Sequence, residues 1–398
     1  MPLEALSWTG RSLPATMLLL REELKMKRAI ASASAAILIC AGCTAAVQND
    51  STPQASADTE TVKSTTLTKE MEMEIMDFSK EKENVIYMAG GCFWGMEKLM
   101  QSIPGVIDVK SGYANGSGEK EANYQTVSMG RTGFKETVRV EYNPDKVSLD
   151  ALLMAYFYVI DPTVTNRQGN DIGFQYQTGV YYTNEKAKET VERISKIEAG
   201  RVDKFAVEIG PLINFYPAEE YHQNYLDKNP NGYCHIPTEE IEIFSHLKID
   251  PGDYQRPADE VIKQKLTDTQ YAVTQKGATE RAFTNPYWDF TGKGIYVDVV
   301  TGEPLFSSKD KFESSCGWPS FSAPIEGPAL IYRKDMSLGL ERTEVRSRAG
   351  DSHLGHVFKY DPESPNGTRY CINGAALRFV PYDQMDEQGY GDLKKIFE

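Results

Sequence analysis

From residue 83 to 245 the apolar positions switch repeatedly between two periods. Strand-like runs rich in β-branched and aromatic residues (NVIYMA, ETVRVEY, TGVYYT, FAVEIG) alternate with runs of helical spacing (SLDALLMAYFYVI, NEKAKETVERISKIEAG). This pattern predicts an α/β unit, an α+β two-layer sandwich. Residues 246–258, HLKIDPGDYQRPA, carry Pro and Gly and read as a linker. From 259 to 398 a single helix, within ADEVIKQKL, precedes short apolar runs broken by Gly, Pro, Asn and Asp: GIYVDVV, GPALIYRK, RTEVRSR, LGHVFKY and GTRYCINGAALRFV. That predicts a mainly β small barrel or sandwich. Residues 44–82 have no sustained apolar period and read as a disordered tether.

A chain of 398 residues suits two domains. The formal net charge of −14, with no long basic block, argues against nucleic acid or an anionic lipid surface as partner. Residues 26–43, MKRAIASASAAILICAGC, place a basic start, a short apolar run and small residues ahead of Cys43. The segment resembles a bacterial lipoprotein signal, although Cys40 stands where Leu is usual. The resemblance implies cleavage before Cys43, lipidation of that thiol and an exported, membrane-anchored protein, in the outer membrane or periplasm of a two-membrane bacterium. Residues 1–25 make no sense ahead of such a signal, so Met26 is expected as the true start and 1–43 as no part of the fold. The mature chain then keeps four cysteines, Cys92, Cys234, Cys316 and Cys371, two in each unit. An exported chain can hold structural disulfides, so two such bridges are the plain alternative to chemistry. No C-x-x-C occurs.

Cys92 draws attention through its setting, MAGGCFWGMEKLMQ at residues 88–101. The run before it reads as a buried strand. Phe93, Met96, Leu99 and Met100 after it have helical spacing. Cys92 therefore sits at a strand-to-helix turn that the glycines allow, where free helix N–H groups are expected to favour a thiolate. GGCFWGMEK resembles the signature of methionine sulfoxide reductase A. ANYQTVSMGRTGFKETVRVEYNP, RQGNDIGFQYQTGVYY and AEEYHQNYLDKNPNGYC match that family in the same order. The resemblance implies that Cys92 is the nucleophile and Cys234 the resolving thiol, with Glu136 as acid. Tyr124, Tyr176 and Asp171 would bind and polarise the sulfoxide oxygen, and Phe93 and Trp94 would wall the substrate methyl group. The chemistry calls for these residue types. A sulfoxide sulfur becomes electrophilic once its oxygen is hydrogen-bonded, and the resulting sulfenic acid needs a second thiol before it over-oxidises.

FESSCGWPSF, DSHLGHVF and RYCINGAALRF resemble methionine sulfoxide reductase B, an unrelated fold acting on the other sulfur epimer. Here the resemblance implies Cys371 as nucleophile, Cys316 as its resolving partner and Trp318 as the aromatic wall. It implies His356 as acid with His353 nearby, and Asn373 as a further donor. Arg369, two residues before Cys371, shares its strand face and is expected to favour the thiolate. In HVFKYDP the spacing is stretched by one relative to the family, which leaves Asp361 outside the expected set. Many relatives hold zinc through two C-x-x-C pairs. The matching positions here are Asp298, Thr301, Ser347 and Gly350, so no bound cofactor or zinc is expected.

The expected function is reduction of the S epimer of methionine sulfoxide by the first unit and the R epimer by the second, in free methionine or oxidised client proteins. Electrons would come from a thioredoxin-like reductant, and the chain is read as a monomer. Two rivals differ in class. A tethered binding protein would hold both cysteine pairs as reduction-resistant structural disulfides. A general thiol peroxidase would have no use for Phe93, Trp94 and Trp318, because peroxide has no methyl group to hold.

Overall fold

The computed structural model describes residues 74–337 and 339–398. Cys43, the signal segment and most of the tether lie outside them. NVIYMA forms strand β1 (Val85–Ala89), buried at every position. Ile86 and Met88 enter the main core, whereas Val85, Tyr87 and Ala89 enter a smaller cluster, the division that a period of two requires. The chain turns at Gly91, φ +87°, and enters helix α1 (Phe93–Ser102) with Cys92 as its N-cap.

Strands β2 (Val106–Ala114) and β3 (Lys135–Tyr142) follow, then helix α2 (Leu149–Val159). Strand β4 (Gly179–Tyr182), helix α3 (Glu185–Ala199), strands β5 (Glu208–Pro211) and β6 (Phe215–Pro217), and helix α4 (Thr238–Ser245) complete the first unit. The sheet runs β5-β4-β1-β3-β2-β6. Of its pairs only β4 with β5 is parallel, so the unit is an α+β layer of helices on a mostly antiparallel sheet. Helix α2 is buried at every residue, and Ser148 caps it by accepting from the Ala151 N–H. Phe93, Met96, Leu99 and Met100 of α1 join α2 in the main core with Val138 and Val140 of β3.

The second unit opens with two helices, α5 (Asp259–Lys265) and α6 (Asp268–Lys276), not one. Helix α6 buries little, only Val273 and Thr274, which is why apolar spacing does not reveal it; its boundaries lie instead in a Thr267–Gln270 capping box and a left-handed Gly277. Strands β7 (Gly294–Asp298), β8 (Pro304–Ser307), β9 (Lys311–Phe312), β10 (Ser320–Phe321), β11 (Leu330–Asp335) and β12 (Arg342–Ser347) come next. Strands β13 (His353–Lys359), β14 (Thr368–Ile372) and β15 (Leu377–Pro381) follow. They build two antiparallel sheets, β8-β7-β15 and β9-β10-β14-β13-β12-β11. The run GTRYCINGAALRFV therefore supplies a strand to each sheet, parted by a 3-10 turn at Gly374–Ala376.

Two boundaries differ from expectation. Residues 74–82, read as the end of the tether, lie on the first unit: Glu74 accepts from the Tyr216 hydroxyl at 2.9 Å, and Phe78 packs edge-on against Tyr87. The 246–258 segment, read as a linker, is docked on both units. Ile249 is buried with Ile295, Val297 and Val380 of the second unit, while Asp250 accepts from the Ser148 N–H of the first at 2.7 Å.

Candidate active sites

At the end of β1 the Cys92 thiol is buried, 5 % exposed. The expectation that the helix start makes it a thiolate is overturned. The first amide of α1, Phe93 N–H, donates instead to Glu136 Oε2 at 3.1 Å. The Trp94 N–H still favours the thiolate, but burial, and then the charge of Glu136, outweigh it and push the thiol well up. Glu136, on β3, is 2 % exposed, and burial pushes its carboxyl up to about 8 against the pull of the Phe93 amide. It is therefore mainly a neutral acid at pH 7.

Tyr124 and Tyr176 stand half-buried at the same place. Burial, and then the charges of Glu136 and Cys92, push both phenols up, so both remain protonated donors. Asp171 lies in a short hairpin, Arg167–Gln168 with Asp171–Ile172. Its Oδ2 has no hydrogen-bond partner and sits 3.9 Å from His235 Nδ1. Trp94 is a half-buried wall, stacked on Tyr225 at 3.7 Å, with its indole N–H donating to His222 Nδ1 at 3.1 Å. Phe93 lies beneath that wall, 1 % exposed, its ring 6.4 Å from the Trp94 ring and 5.0 Å from His222.

Cys234 follows α1 closely. A Cβ placed on Gly95, one turn into the helix, would lie 3.2 Å from Cys234 Sγ and 3.1 Å from the His235 ring. Gly95 thus leaves the space in which the second thiol comes near the first. His235 fastens this loop to the turn before Cys92, with Nε2 2.9 Å from Gly90 O. Neither His222 nor His235 was singled out from sequence, because each acquires its role only when distant segments meet.

In the second unit a row of side chains crosses four strands. Ser320, Cys371, His356 and Glu344 are direct cross-strand neighbours on β10, β14, β13 and β12. Neighbours of this kind have Cβ atoms about 5 Å apart on one face. Cys371 Sγ lies 3.6 Å from Cys316 Sγ, and Cys316 Sγ lies 3.4 Å from Ser320 Oγ. The two thiols are hydrogen-bonded to each other, and that bond pulls Cys316 down and pushes Cys371 up. Arg369 does favour a Cys371 thiolate, as expected, but its pull is outweighed by Cys316. Asp361, left out of the expected set, holds Arg369 in place by accepting from its Nε at 2.7 Å.

His356 Nε2 is 2.7 Å from Asp335 Oδ2, and burial pulls the imidazole down against that partner. An N–H aimed at Asp335 leaves Nδ1 unprotonated in the neutral ring, so the expected acid needs a second proton to donate from that side. His353 Nδ1 is 2.6 Å from Glu344 Oε1. Asn373 is anchored through its side chain. Its amide donates to Leu354 O at 3.0 Å and accepts from the Glu280 N–H at 3.1 Å, so it ties strands together. Glu280, absent from the sequence reading, is the hub of this corner. Its carboxylate accepts from Gly374 and Ala375 N–H, and its carbonyl accepts from the Trp318 indole at 3.1 Å.

The four positions matching zinc ligands do meet, around a carboxylate. Asp298, fully buried, accepts from Ser347 Oγ at 2.6 Å and from the Val300 N–H at 2.8 Å, and Thr301 also bonds it. A Cβ on Gly350 would lie 2.2 Å from Asp298 Oδ2. One carboxylate already bonded to hydroxyls does not fit a tetrahedral sulfur and nitrogen site.

Comparison with known proteins covers both units. Residues 84–248 match the family model described as peptide methionine sulfoxide reductase, and residues 266–381 match that of the SelR domain, the methionine sulfoxide reductase B type. Mxr1 from Saccharomyces cerevisiae, in reduced form, is 39 % identical over 39 % of this chain and 89 % of its own, with a TM-score of 0.37. Methionine sulfoxide reductase A of Corynebacterium diphtheriae is 36 % identical over 39 % of this chain and 82 % of its own, with a TM-score of 0.35. Two such domains in one chain define a two-domain oxidoreductase acting on methionine sulfoxide. The chain belongs to the peptide methionine sulfoxide reductases and carries a SelR domain behind the first. The binding-protein reading falls with that result.

Proposed function

We propose that the two units reduce opposite sulfur epimers by the same thiol chemistry. In the first, Cys92 attacks the sulfur of the S-sulfoxide while Glu136 gives its proton to the oxygen and Tyr124 and Tyr176 donate to it. The Cys92 thiol proton replaces the one Glu136 gave, the bond between Cys92 and the substrate sulfur breaks together with the sulfur–oxygen bond as the oxygen passes over, and methionine leaves with Cys92 as a sulfenic acid. Cys234 then attacks that sulfur, a disulfide forms and water departs. In the second unit Cys371 plays the attacking part on the R-sulfoxide, Cys316 resolves, and Trp318 walls the methyl group. His356, once doubly protonated, supplies the proton. A thioredoxin-like dithiol returns each disulfide to two thiols, and the second unit works without zinc.

The observation that carries this reading is Glu136. It is a carboxyl held neutral by burial, bonded to the first amide of the helix that Cys92 begins. A thiol nucleophile beside a neutral acid suits attack on a sulfoxide. Assays on separated epimers test it. Cys92→Ser is expected to abolish turnover of the S epimer alone and Cys371→Ser that of the R epimer alone, while Cys234→Ser still releases one methionine per chain. Loss of both activities from either single nucleophile variant would contradict the division.

A further inference from the structure

The units meet where the end of α3 reaches the turn between β12 and β13. Glu198 Oε1, on α3, receives Arg201 Nη1 at 2.5 Å from just past the end of the same helix and Arg348 Nη1 at 2.9 Å from the turn. Arg201 Nη2 crosses the boundary as well and donates to Arg348 O at 3.0 Å. The three side chains are only 13, 9 and 15 % exposed. Exposed ion pairs contribute little, but a forked guanidinium set into a largely dry joint fixes geometry.

The turn held in this way is the one that carries Ser347 and Gly350. Its inner side is bonded to Asp298 through Ser347 and Ser352, and its Ala349 N–H donates to the buried Glu303 at 3.0 Å. Arg256, in the segment joining the units, reaches its other flank and donates to Gly350 O at 3.1 Å. Strand β13 leaves the turn at His353, one residue beyond Ser352, and carries His356 opposite Cys371. Strand β12 enters the turn carrying Glu344, the partner of His353. A shift of this turn therefore displaces both histidines relative to the nucleophile.

We infer that Glu198 and Arg201 of the first unit are positioning residues for the second unit's reaction. Through Arg348 they anchor the β12–β13 turn, and with it the His353–His356 row. The hairpin has no thiolate metal anchor at this turn, and docking on α3 supplies a second support beside Asp298. The consequence is that the Cys371 site depends on the first unit, whereas among the described residues Glu198, Arg201 and Arg348 make no hydrogen bond or ion pair with the Cys92 site. The inference rests on Cys371 and His356 as the acting groups of the second unit, but the position of the turn can be read without that assignment.

The test uses the full chain with Glu198→Gln and Arg201→Gln combined, both changes lying outside either site. Amide exchange at residues 347–353 is expected to rise about tenfold or more relative to wild type, with exchange in β1 and α1 unchanged. For the R epimer kcat is expected to fall about threefold or more with KM little changed, while S-epimer kinetics stay as in wild type. Arg201→Lys keeps the charge but loses the fork, and is expected to give an intermediate loss; it carries the comparison alone if the double variant does not fold. Wild-type exchange at the turn together with wild-type R-epimer kinetics would overturn the inference. So would equal losses on both epimers, the mark of general unfolding. Faster exchange at the turn with no activity on the R epimer even in wild type would instead indict the assignment of Cys371.

Discussion

Glu136 illustrates how one residue's surroundings set its chemistry. Only its protonated form can donate to the sulfoxide oxygen, and burial keeps it protonated up to about 8. Methionine release from the S epimer, followed in a single turnover, should therefore fall as pH rises through about 8. Glu136→Gln removes the transferable proton. It should slow release by about 10² to 10⁴ and erase that alkaline limb. A limb that survives in the variant would place the acid elsewhere. At this scale the sequence discloses residues whose neighbours in the chain give them away. Cys92 follows two glycines and precedes two aromatic residues, and Cys371 lies within a strand with Arg369 two positions earlier. His235, Glu280 and Asp335 are different. Their partners, Gly90, Trp318 with Gly374, and His356, come from distant segments, so only the folded chain brings the chemistry together. The thiolate expected at Cys92 failed for a related reason: the fold buries the thiol beside Glu136 of β3, which also claims the first amide of the helix.

Among the elements, α1 does the most for the first site, because one face carries core residues and its start carries the nucleophile. Gly95 is its least helical residue and the one that makes room for Cys234 and His235. Gly95→Ala should improve intrinsic helix stability by about 1 kcal/mol, yet its methyl would sit closer to Cys234 Sγ and the His235 ring than most such contacts allow. The expected outcome is unchanged methionine release with slower disulfide formation, measured by rapid quenching and thiol trapping. Equal rates for both steps would show that the loop has no need of that space. Helices α1, α2 and α3 were legible because each combines an apolar face with a recognisable start. Helix α6 was not, since it rests on caps rather than on an apolar face. The run GTRYCINGAALRFV reads as a single apolar stretch in sequence, but the turn at Gly374–Ala376 sends its ends into different sheets.

For the whole molecule, two units and their order could be read from the change of apolar rhythm, but their connection could not. The 246–258 segment has the Pro and Gly of a linker, yet Ile249 and Asp250 commit it to both cores. The joint at Glu198, Arg201 and Arg348 is written in charged residues that ordinarily face water, so nothing in their spacing sets them apart. The central claim is that one chain holds two dithiol sites, each able to reduce one epimer once before it needs electrons. Its most direct measurement starts from fully reduced full-length protein without any added reductant, supplied with an excess of each epimer in turn and then both. Methionine formed and thiols lost are counted together. The account predicts about one methionine per chain from each epimer, about two from the mixture, and loss of the thiols of Cys92 with Cys234 or of Cys371 with Cys316 accordingly. Methionine formed without thiol loss, or from one epimer only, would contradict it.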